Sequence, residues 1–229
     1  MNRNAMDTDS TVMITATPQL AGASIETTFK RPRPFSKEQL DQLAVWITDA
    51  ERGLGVRPEQ VRVRNGDVMF EYELSAVLFN GLGMLRVNAM SASLIATGAR
   101  TDQDIDVLRD SVTRFIGEIS GADVTTFTVS AHTYAVTVSA DVRDEYLARF
   151  RFGPEIISAG GIGLVRVESW PESIRVVVEA AIESPENLFI AWNTRFQISE
   201  QWRESLANLP KTFICAARAL GVTLEKVNV

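Results

Sequence analysis

Two apolar stripes in step with one another constrain this chain more than any other feature of its sequence. Leu108, Phe115 and Ile116 recur as Leu206, Phe213 and Ile214, and the hydroxyl residues Thr101 and Ser199 stand ahead of them, each pair 98 positions apart. Large apolar residues at helical spacing on otherwise polar segments give each helix one face to bury, and a hydroxyl just before such a segment is an N-cap signature. A helix of this kind gains most of its stability from the surface it covers, so each stripe demands a sheet or a second helix. One helix is predicted at about 101–119, with Ile105, Leu108, Val112, Phe115, Ile116 and Ile119 inward and Gly121 as its stop. Asp102, Asp104 and Asp106 fall in or near its first turn, where the helix dipole favours negative charge. The other helix is predicted at about 199–220, and Pro210 within it lacks an amide donor, which predicts a kink or split near Asn208.

The segments between the stripes supply strands. Ile25, Thr27 and Phe29 alternate, and Ser36 with Gln39 forms a capping box that opens a helix over 37–52. Leu40, Leu43, Ile47, Ala50 and Leu54 are its apolar face, and Gly53 and Gly55 its stop. Val61 to Arg64 reads as a short strand and Val68 to Leu74 as a half-buried one, with Val68, Phe70, Tyr72 and Leu74 on one side. Asn80-Gly81 predicts a turn into one further strand near 84–96, and Val124 to Val129 reads as another.

The second half replays this order. Tyr134, Val136 and Val138 alternate in the manner of Ile25, Thr27 and Phe29, and a short helix is predicted at 142–150. Val165 to Glu168 matches the short strand, Ile174 to Ala180 the alternating one, and Leu188 to Ile198 its hairpin partner. Gly221 precedes a final strand, Val222 to Val227.

The reading that follows is an α+β protein of two tandem, duplicated units, each an antiparallel sheet with two helices on one face. The ferredoxin-like pattern has this kind of element order, and TBP-like or helix-grip arrangements share it. The expected divisions are residues 1–21, an N-terminal tail with a possible extra strand, then units at 22–131 and 132–229.

Composition narrows the function classes. The chain has 229 residues, 45% hydrophobic and 23% charged, as a globular protein with a sizeable core requires. Its net charge of −6 repels polyanions, which argues against nucleic acid as a partner. Lys30-Arg31-Pro32-Arg33-Pro34 is a local basic run, but its prolines make it an extended connector and no aromatic-rich strand adjoins it. The polar Met1 to Ser10 reads as a frayed tail rather than a signal peptide. With no run of eighteen apolar residues, no membrane span is expected, and a cytoplasmic location is the expectation. The single cysteine, Cys215, excludes an internal disulfide and sits in an apolar run that predicts a buried thiol.

No residue set with a catalytic geometry stands out, so enzymatic activity is left open, and no cofactor or metal is expected. His132 is the only histidine and reads as a turn or surface residue between two strands. Ala159-Gly160-Gly161-Ile162-Gly163 is rich in glycine but leads into a strand rather than a helix, which suits a flexible connection better than a phosphate loop. Glu71 and Glu73 share a polar strand face, and the aspartates from Asp102 to Asp110 lack the pattern of a calcium loop. Trp46 and Trp170 are candidates for exposure to a partner.

The surface selected for binding is the polar face of the second hairpin. Asn193, Arg195 and Gln197 project together opposite the apolar even-numbered positions, with Arg175 and Glu179 of the neighbouring strand able to join them. A guanidinium fork beside amides suits a carboxylate, a phosphate or a polar protein edge. The expected function is non-enzymatic binding or assembly, with a sheet face or inter-unit groove presented to a protein partner or small ligand, and self-association as a homo-oligomer is compatible. The rival expectation is an enzyme or cofactor-binding protein whose pocket is enclosed between two sheets.

Overall fold

The computed structural model describes residues 13–225 except 33, 65–70, 79–80, 100–101, 120–123, 151–159, 169, 171, 183 and 185. The N-terminal tail before residue 13 and Gly121 lie outside the described residues. Among the described residues ten strands build a single sheet in the order β2-β3-β4-β5-β1-β6-β9-β8-β7, with β10 paired to β1. They are β1 (Ile14–Thr28), β2 (Val61–Arg64), β3 (Glu73–Leu78), β4 (Gly83–Asn88), β5 (Ser91–Ala99), β6 (Thr126–Thr137), β7 (Gly161–Val165), β8 (Ile174–Ala180), β9 (Asn187–Gln197) and β10 (Val222–Leu224). The helices are α1 (Lys37–Thr48), α2 (Asp102–Ile119), α3 (Ala140–Ala148) and α4 (Trp202–Ala219). Every strand pair is antiparallel except β1 with β10.

Alternation dictates which face of this sheet is buried. Ile25, Leu74, Leu85, Leu94, Val129, Ile190 and Val176 all point to one side, where they join Leu40 and Ile47 of α1, Phe115 and Ile116 of α2, Tyr146 of α3 and Phe213 of α4 in one core. The helices therefore share a face. On the other, Arg62, Met84, Ile95, Thr128, Arg195, Arg175 and Leu164 are exposed. In each half the first strand lies beside the last strand of its own meander, β1 by β5 and β6 by β9. The meander has four strands in the first half and three in the second, against the two of the ferredoxin-like element order.

Several local expectations change for identifiable reasons. The strand expected at 84–96 is two strands, because the Asn88 side chain accepts hydrogen bonds from the Met90 and Ser91 amides at 2.8 and 2.9 Å and turns the chain. Strand β3 begins at Glu73, and residues 65–70 of the expected strand lie outside the described residues. The capping box of Ser36 and Gln39 forms, but α1 stops at Thr48 rather than 52. There the Asp49 carboxylate takes the Glu51 and Arg52 amides, bonds that also hold its pKa below the ordinary carboxylate value.

The two strands expected on either side of residue 131 are one unbroken strand, β6, so His132 sits in mid-strand and the division at 131/132 falls inside it. Tyr134 and Val136 also face away from the side that Ile25, Thr27 and Phe29 occupy, since Thr133, Ala135 and Thr137 are the buried set. The alternation there is real, but its phase is opposite.

Gly161 to Gly163 of the glycine run belong to strand β7 rather than to a connector, while Gly160 precedes the strand and Ala159 lies outside the described residues. A Cβ on Gly161 would run into the Phe150 ring and one on Gly163 would lie 2.7 Å from Leu220, so these glycines admit, against β7, the side chains that follow the ends of α3 and α4. Helix α4 runs continuously through Pro210. Leu206 before the proline and Phe213, Ala216 and Ala217 after it are all buried on the same sheet, and that packing holds both segments in line. Gln201 rather than Ser199 is its N-cap, and the Ser199 carbonyl accepts from Trp202. Cys215 is exposed, because the inward positions on either side of it are Phe213 and Ala216. The last strand ends at Leu224, and residues 226–229 lie outside the described residues.

The matched aromatics anchor the core: Phe115 and Phe213 are both buried. Each truncation to Ala is expected to cost about 3–5 kcal/mol, and Val176→Asp to be comparably damaging because it buries an unpaired charge. Denaturant unfolding of the three variants measures this, and wild-type midpoints would refute the assigned packing.

Candidate functional site

The helices α2 and α4 come from different halves and do not close against each other along their length. Between them lies a groove of about 440 Å³, open to solvent, whose floor is the centre of the sheet. Its walls are Leu108 and Val112 of α2 and Leu206, Leu209 and Phe213 of α4. Ala23 of β1 and Ala131 of β6, direct partners across the central strand pair, lie in the floor. Two alanines where neighbouring positions carry Ile25 and Val129 leave volume that bulkier residues would fill.

Trp192 of β9 borders the groove and stacks on Phe213 with ring centroids 5.3 Å apart and an interplanar angle of 16°. Its buried indole Nε1–H has no hydrogen-bond partner among the described residues, and stacking holds the ring. Charge is confined to the rim. Arg109 pairs with Asp106 at 2.9 Å and with Asp110 at 3.5 Å, and the exposed Lys211 and Glu225 complete the border. Asp106 and Asp110 thus serve an arginine on their own helix.

The polar patch expected on the second hairpin lies on the opposite face of the sheet. Arg175, Asn193, Arg195 and Gln197 are all exposed there, and Arg175 stands directly across from Asn193. Asn193 donates to Ser130 Oγ at 2.8 Å and Gln197 to Glu172 Oε1 at 3.0 Å, which orients both amides. Glu179 does not join them. It pairs with Phe189, four residues along β8 from Arg175, a separation of about 13 Å at strand spacing.

His132 shares that helix-free face but is half-buried. Its ring packs against Tyr134 and Phe189 at centroid distances of 6.1 and 5.7 Å, and lies over Gly22, where a Cβ would come within 2.5 Å of the imidazole. Burial holds its pKa below the ordinary value. Trp170, a candidate for exposure, is buried and donates to Thr194 Oγ1 at 2.9 Å, while Trp46 is half-buried against the core. Among the described residues no cluster of three or more His, Cys, Asp or Glu side chains has metal-binding geometry. No helix of the described residues is long and apolar enough to cross a membrane.

An inter-unit groove is one of the two surfaces the sequence reading expects, but none of the residues that line this one is read there as a binding site. Its one local signal is the small residues at the middle of each strand, Ala21-Gly22-Ala23-Ser24 and Ser130-Ala131, and their meeting across β1 and β6 depends on long-range pairing. No protein family model matches the chain, and no curated protein is detectably similar to it.

The environment of His132 has a pH consequence. A histidine whose folded pKa is depressed binds fewer protons than the unfolded chain below about pH 6.5, so stability is fully present above that value and declines as pH falls towards the folded pKa. Thermal melting between about pH 7 and pH 5 should therefore fall more steeply for wild type than for His132→Gln. Parallel curves would show that His132 contributes nothing to the acid response.

Proposed function

We propose that this chain is a non-enzymatic binding protein, built from two related strand-helix-meander-helix units joined through β1 and β6, which holds a small apolar molecule in the inter-unit groove between α2 and α4. The observation that carries this reading is the groove itself, an open volume of about 440 Å³ with apolar walls and charge only at its rim. That volume lies in the range of small-molecule sites. The shared placement of each first strand beside its own last meander strand supports the relation between the halves.

Ala131→Phe tests the reading, because the new ring would project from the floor into the space a ligand needs. Wild type is expected to bind an environment-sensitive anilinonaphthalene sulfonate probe in the groove, and the variant at least about tenfold more weakly, with no loss in melting temperature since the change fills an existing void. Equal binding by both proteins would sink the groove as a ligand site.

The helix-free face supports a second reading, recognition of an acidic protein edge or anion. Its observation is the diagonal placement of Arg175 and Arg195, neither ion-paired among the described residues, beside two amides oriented by Ser130 and Glu172. Arg195→Ala should shift the melting temperature by no more than about 2 °C and weaken retention of the purified protein on an immobilised glutamate-rich peptide. Unchanged retention would remove the patch from consideration.

A further inference from the structure

Among the described residues β2 and β7 end the main strand order of the sheet, and they are protected unequally. Edge strands expose unpaired backbone groups, and stable monomers commonly guard them with charge, proline or a bulge. Strand β2 carries exposed Arg62 and Arg64 on the helix-free face. Strand β7, Gly161-Ile162-Gly163-Leu164-Val165, carries no charge at all, and its outward side chains Ile162 and Leu164 are 66% and 76% exposed. Val177 of β8, opposite Ile162, extends this apolar surface inward.

We infer that β7 is a pairing edge for a second copy of this chain, joined antiparallel about a two-fold axis at Gly163. The sequence is complementary to itself in that register. Ile162 falls opposite Leu164 of the second copy, and Leu164 opposite its Ile162, so both exposed side chains gain an apolar cross-strand partner. One residue further out, Gly160 falls opposite Arg166 of the second copy. Gly160 continues the β7–β8 register to stand beside Glu179, and with no side chain of its own it leaves the path between the two charges open. Two strand spacings, about 10 Å, separate the backbones of Arg166 and Glu179 across the joint, a span that the two extended side chains bridge. Arg166 is exposed, and neither residue is ion-paired within its own chain among the described residues. The two-fold axis makes this charge pair twice. The contact rests on β7 alone and is independent of the groove.

Sedimentation velocity over about 1 μM to 1 mM, a range that brackets the affinity of a small interface, tests the pairing on the full chain. Wild type is expected to rise with concentration towards twice the 25.3 kDa of one chain. Ile162→Lys and Leu164→Lys should each stay monomeric, with far-UV circular dichroism unchanged because both sites are exposed. Arg166→Glu should weaken dimerisation at least about tenfold, and the double variant Arg166→Glu with Glu179→Arg should restore it by reversing the pair. A wild type that stays monomeric throughout, a dimer indifferent to both lysine variants, or a charge reversal that fails to restore association would each overturn the inference. So would association of wild type with an unrelated apolar strand peptide but not with itself.

Discussion

The pairing of β1 with β6 is the interaction on which the rest of this structure depends. From Ala16 with Thr137 to Glu26 with Thr128 it joins the first strand of one half to the first strand of the other. Strand β1 also pairs with β5 and β10, so three separate parts of the chain are held through it. Without that strand the first meander, the second meander and the segment after α4 would have no common surface. These partners are distant in sequence, so most of the ordering entropy is spent before the central contacts form.

Small residues then decide what closes and what stays open. Gly22 makes room for the His132 ring on the helix-free face, and Gly161 and Gly163 let Phe150 and Leu220 come down onto β7. The end of α4 is secured from α3, where Tyr146 donates to the Leu220 carbonyl at 2.9 Å and Arg149 donates to the same oxygen. Burial drives the pKa of the Tyr146 phenol up to about 12, against the opposing pull of Arg149. At Ala23 and Ala131 the same economy of side-chain volume has the opposite outcome, because α2 and α4 stand apart above them and leave the groove open among the described residues.

The result is a sheet with two different faces. One is covered by helices from both halves and holds an apolar groove along their junction. The other carries polar groups near β8 and β9 and an apolar strip at the β7 edge. A binding role for the groove and self-pairing at the edge use different surfaces, so a dimer built through β7 leaves the groove accessible.

Much of this was legible along the chain. Local periodicity determined the α+β class, the two long helices with buried Phe115 and Phe213, the capping box at Ser36, and the outward projection of Asn193, Arg195, Gln197 and Arg175, because each follows from side chains a few residues apart. What periodicity cannot carry is absolute phase and partnership. A twelve-residue strand with Ser130, Ala131 and His132 at its centre has a weak apolar signal there that predicts two strands and a turn, whereas pairing with β1 over 128–137 and with β9 over 126–136 makes it one strand. The one-sheet architecture, the role of the β7 glycines and the groove over Ala23 and Ala131 were decided only in three dimensions, since each depends on residues far apart in sequence whose volumes have meaning only once they face each other.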